Sequence, residues 1–61
     1  MKVRYLGETR NFQTVKGGEK KIDNGMELEC MEKEYQSQAV VRVVLDTGEH
    51  VKIKRSELQR L

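Results

Sequence analysis

Four basic residues near the end of the chain have the spacing of a phosphate-tracking surface. Arg42, Lys52 and Lys54 alternate with Val41, Val43, Val51 and Ile53, and Arg55 follows directly. On two paired strands, alternation sends side chains to opposite faces, so the basic set shares one face with His50. Such a face can neutralise nucleic-acid phosphates. It can equally be a solvated face with charge pairing. Glu27 and Glu29 alternate outward on a neighbouring stretch and are placed to form a ladder with Arg42 and Lys52, each pair worth roughly 0.2–1 kcal/mol. No aromatic residue interleaves the basic ones as a stacking platform, so the solvated face is preferred.

Other reactive residues carry less. Lys16, Lys20 and Lys21 flank Gly17-Gly18, but the segment lacks the Gly-Lys-Ser/Thr ending of a phosphate loop. Glu19 interrupts its charge, which suits a solvated loop tip. His50 is the only histidine, and a catalytic histidine needs a partnered nucleophile or a metal. Cys30 is the only thiol and falls on an apolar strand face, as a small buried hydrophobe does. Glu27 and Glu29 have no apolar pocket to raise either pKa. These residues predict no enzyme, no metal site and no cofactor.

Phe12, Met31 and Tyr35 are the candidates for holding a protein partner, with Met26 beside them. Met31 breaks the strand alternation that precedes it, and Tyr35 is the one large apolar group in a polar connection. Aromatic and Met side chains are favoured at interfaces.

The elements that must position these residues are short. Ala39–Leu45 and Glu49–Arg55 read as strands joined by Asp46-Thr47-Gly48. A three-residue loop with Gly in the left-handed conformation makes Leu45 face Glu49, Val43 face Val51 and Val41 face Ile53. That gathers the apolar set on one face, and a one-residue slip would split it. Lys2–Leu6 and Met26–Cys30 alternate as two further strands. Gly7–Gly25 is polar and reads as a long functional loop or a wandering hairpin, with Phe12, Val15 and Ile22 to anchor it and turns at Gly17-Gly18 and Asn24-Gly25. Met31–Gln38 reads as a polar connection. Ser56-Glu57-Leu58-Gln59 fits a capping box on a single 3₁₀ turn, with Leu58 and Leu61 closing one end of the core.

The chain has 61 residues, which predicts one domain. A domain so short is marginal without staples. Its single cysteine allows no internal disulfide, so both monomer and homodimer are open. Charged residues make up 36% and the net charge is +2, a mixed surface rather than a strongly basic one. No apolar run reaches a membrane span. The opening Met1-Lys2-Val3-Arg4 leads into alternation and not into a signal-peptide core. With one thiol, these features predict a cytoplasmic protein that does not bind membranes.

Strand, long irregular loop, strand, polar loop, strand, tight turn, strand and 3₁₀ turn is the order of an SH3-like barrel. "ELECMEKEYQSQ" resembles the second strand and following loop of such domains, and "AVVRVVLDTGEHVKIKRSELQRL" the distal hairpin and C-terminal turn. "MKVRYLGET" is similar to the start of small stand-alone SH3-like proteins of Gram-positive bacteria and their phages. The resemblance implies an all-β barrel of about five strands over residues 1–61, with a long first loop and a C-terminal 3₁₀ turn. It does not imply proline-rich ligands. Ala39-Val40 and Ser56-Glu57 stand where the aromatic and proline positions of peptide-binding SH3 domains would be, and the chain has no Trp or Pro.

The expected function is therefore a non-catalytic protein-interaction module, regulatory or phage-accessory in type. It would bind a cytoplasmic protein through Phe12, Met31 and Tyr35. The alternative is a nucleic-acid-binding barrel using Arg42, Lys52, Lys54 and Arg55.

Overall fold

The computed structural model describes residues 1–61. Its strands are β1 (Lys2–Tyr5), β2 (Arg10–Gln13), β3 (Glu19–Ile22), β4 (Glu27–Cys30), β5 (Val40–Val44), β6 (His50–Lys54) and β7 (Leu58–Arg60). A helix α1 (Glu32–Ser37) links β4 to β5, and a 3₁₀ turn (Arg55–Glu57) links β6 to β7. Five strands form an antiparallel sheet in the order β6-β5-β4-β1-β7, while β2 and β3 form a separate hairpin. This is an all-β fold with the strand order and C-terminal 3₁₀ turn expected of an SH3-like domain. It has seven strands rather than about five, because the Gly7–Gly25 segment folds as the β2–β3 hairpin. Hydrogen bonding does not close it into a continuous barrel. The hairpin joins the main sheet through one bridge, Thr14 to Val51, beside a Val15 N–H to His50 carbonyl bond of 2.9 Å.

The β5–β6 register follows from the turn. Val41 pairs with Ile53 and Val43 with Val51, and the Leu45 N–H reaches the Glu49 carbonyl at 2.8 Å. Gly48 has φ +88°, the left-handed value that a residue with a Cβ adopts at a cost. The inward positions of each strand supply the core. Val3, Tyr5, Leu28, Cys30, Val41, Val43, Leu45, Val51, Ile53 and Leu58 are buried together with Ile22 of the hairpin. Met26 and Tyr35 are half-buried against this cluster.

Three local expectations need correction. Met31–Gln38 is not a plain polar loop. Glu, Lys and Gln favour helix, and Glu32 and Glu34 sit in the first turn where the helix dipole favours negative charge. Gln36 also reaches back to Glu32, one turn earlier, at 3.3 Å. The capping box does not form: the 3₁₀ turn begins two residues earlier, Lys54 rather than Ser56 occupies its N-cap and no side chain caps it. Val15 and Leu61 are not anchors, since both are more than half exposed. Phe12 and Ile22 alone bring apolar side chains of the hairpin to the core.

Candidate functional site

The most ordered polar cluster is one that sequence reasoning missed. Arg10 Nη1 and Nη2 donate to the two carboxylate oxygens of Glu57, each at 3.0 Å. The same Nη1 donates to Tyr5 Oη at 2.7 Å, and that hydroxyl donates to the Glu8 carbonyl at 2.7 Å. The Arg10 guanidinium lies 4.5 Å from the Phe12 ring centroid, and Phe12 meets Tyr5 edge-on at 5.6 Å. The hydrogen bond from Arg10 holds the Glu57 carboxyl below its ordinary range, with Lys54 adding a smaller pull. Burial pushes the Tyr5 phenol up, against the opposing charge of Arg10. None of its buried side-chain polar atoms lacks a partner, so it reads as a latch. It ties β2 to the 3₁₀ turn, 47 residues away.

The side chains weighed for reactive chemistry are spread apart. Cys30 is buried, and desolvation pushes its thiol up, away from the reactive thiolate. His50 stands opposite Val44 on the other face of the sheet. The Glu27/Glu29 ladder to Arg42 and Lys52 does not form. Glu29 is in register with Val44, and Glu27 pairs with Arg4 at 3.5 Å. Arg42 and Lys52 instead face each other across β5–β6, an arrangement of like charges relieved by Glu34 of α1 at 3.9 Å from Arg42. No group of three or more His, Cys, Asp or Glu side chains is arranged to hold a metal ion.

A shallow groove of about 690 Å³ runs between α1, the start of β5 and the 3₁₀ turn. Tyr35, Ala39 and Val40 give it an apolar floor, and Lys54, Arg55 and Arg60 give it a positive wall. No carboxylate lines it. Arg55 is held in place by donating to the Tyr35 and Gln36 carbonyls, at 3.0 and 3.2 Å. A cation there also complements the negative end of the helix. Arg60 bonds Glu32 at 3.1 Å, but both side chains are more than half exposed, so water screens the pair. Lys52, Lys54 and Arg55 make no ion pair.

The groove draws on both sets of candidate residues. Tyr35 comes from the protein-binding set, Lys54 and Arg55 from the basic set. Phe12 lies elsewhere, in a depression shared with Thr14, Val15 and Lys52. Met31 is exposed at the start of α1 and lines neither. Ala39, Val40 and Arg60 are not among the site residues expected from the sequence. Val40 carried a readable signal: it is an apolar residue at an outward strand position, and it is 48% exposed.

Comparison of the chain with family models, with curated proteins and with solved structures finds no match. No helix is long and apolar enough to cross a membrane.

Proposed function

We propose that the protein is a small non-catalytic interaction module of the cytoplasm, and that its partner docks in the groove between α1 and the 3₁₀ turn. The observation that carries this reading is the convergence of Tyr35, Ala39 and Val40 with Lys54, Arg55 and Arg60 in one open concavity. Exposed apolar surface bordered by unpaired cations is the composition of a binding patch with a polar rim. The groove is rigid on both sides. Arg55 fastens α1 to the 3₁₀ turn, and Tyr35 packs its ring against the core. A preformed surface lowers the entropy lost on association. Phe12 serves in this reading as the seat of the Arg10 latch rather than as a contact. The single buried thiol suits a reducing compartment.

The test is capture of a partner from the native host by the wild type, compared with Val40→Glu, with nuclease present throughout. Val40 is exposed, so the substitution leaves the core intact. Partner loss in the variant supports the reading, and equal capture by both contradicts it.

A second reading keeps nucleic acid as the partner. It is favoured by three cations without an ion-pair partner, Lys52 and Lys54 on β6 and Arg55 just after it. It is weakened by Arg42, which Glu34 already engages, and by the absence of a free aromatic ring for stacking.

A further inference from the structure

We infer that the occupant of this groove is an extended acidic segment of a partner protein, with an apolar side chain set between its carboxylates. The inference rests on the interaction reading above and adds the chemistry of the partner.

Charge is the first argument. Carboxylates engage Arg4, Arg10, Lys20, Arg42 and Arg60. Of the cations around the groove, Lys54 and Arg55 have no carboxylate partner, and Arg60 has only the exposed Glu32. Lys52 extends the same row along β6. A ligand that brings its own carboxylates therefore completes pairs which the chain leaves open. Arg55 is the best placed of them. Its backbone-carbonyl contacts fix the guanidinium before any ligand arrives.

The floor is the second argument. Val40 is 48% exposed, and Ala39 and the Tyr35 ring lie beside it. A purely ionic ligand would leave this surface wet. An apolar side chain two residues from a carboxylate would cover it, because side chains i and i+2 share a face along an extended segment.

The groove offers no stacking platform for a nucleic acid. Tyr35 is half-buried against the core, so its ring is not presented for a base to stack on.

The experiment titrates three probes into the isotope-labelled full chain and follows the backbone amides by NMR. One probe is a short Asp–Leu peptide, with Asp and Leu taking turns at every second position and Ser between them, one its Lys and Leu counterpart, and one single-stranded oligothymidylate. The Asp–Leu peptide is expected to move the amides of Tyr35, Ala39, Val40, Lys54 and Arg60 and to leave the Asp46–Gly48 turn unmoved. Lys54→Glu and Arg60→Glu are each expected to weaken it about fivefold, and added salt to weaken it further. Three results would overturn the inference: no response at those amides, equal binding of the Lys–Leu peptide, or tighter binding of the oligothymidylate at the same amides. Self-association of the free chain that Val40→Glu abolishes would also overturn it, by making a second copy the occupant. A host protein captured by the wild type and lost by Val40→Glu, without response to the Asp–Leu peptide, would reject the acidic segment and keep the interaction reading. Failure to capture any protein would reject that reading itself.

Discussion

Arg10 and Glu57 grip each other through two parallel hydrogen bonds of 3.0 Å, although 47 positions separate them in the chain. The pair joins the β2–β3 hairpin to the turn that precedes the last strand. A bidentate pair fixes orientation as well as distance. The hairpin needs such fixing, because its only ladder contact with the main sheet is the Thr14–Val51 bridge. Arg10→Lys is expected to speed amide hydrogen exchange across residues 10–22 while leaving Val43 and Val51 protected. Lysine keeps the charge and loses the fork. Unchanged exchange in the hairpin would show that Phe12 and Ile22 hold it without the latch.

The latch has a pH signature. The Glu57 carboxyl is held below its unfolded value, so its contribution is present above the ordinary carboxylate range and is lost as pH falls through the lowered folded value. Wild type is therefore expected to be more stable than Glu57→Gln near neutral pH, with the gap closing in acid. Thermal melts of both chains across pH measure it. A gap that stays constant into acid would contradict the assignment.

Gly7 sits against the same cluster. A Cβ there would lie 2.5 Å from Tyr5 Oη and 2.6 Å from Glu57 Oε2. Tyr5 is fully buried and cannot yield, so the latch must open instead. Gly7→Ala is expected to cost about 1–3 kcal/mol, as overpacking does. Urea denaturation checks this.

Two outward and inward neighbours on β5 should behave oppositely. Val43 is fully buried, and Val43→Asp places an unpaired charge in a core with little stability to spare, so the chain should not fold. Val40→Glu should fold with an unchanged circular dichroism spectrum.

These contrasts also show what could be read from the residues alone. The β5–β6 pairing was legible because the Asp46-Thr47-Gly48 loop and the Val/Ile alternation demand the same register. The hairpin of residues 10–22 was only half legible. Its turns are marked by glycine, but its strands are polar on both faces except at Phe12 and Ile22. Helix α1 was not legible from periodicity, since a six-residue helix with one large apolar residue has none. Arg55 also binds its Tyr35 and Gln36 carbonyls, a contact made only after the chain folds. The groove inherits that difficulty, because α1 forms one of its walls.

The basic face makes a salt-dependence prediction. Four phosphate contacts from Arg42, Lys52, Lys54 and Arg55 would give duplex DNA a slope of about −3.6 in log affinity against log salt. Glu34 engages Arg42, which leaves Lys52, Lys54 and Arg55. The expected slope is then about −2.7. A gel-shift series across salt concentrations distinguishes the two, and the steeper slope would restore nucleic acid as the partner.

The most direct test of the docking groove is photo-cross-linking in the native host. A photoreactive amino acid placed at Val40 should form adducts with a discrete host protein, resistant to nuclease and competed by the Asp–Leu peptide. The same group placed at Thr47, in the exposed turn between β5 and β6, should form none of these adducts. Equal labelling from both positions, or adducts at Val40 that nuclease removes, would contradict a protein partner in the groove.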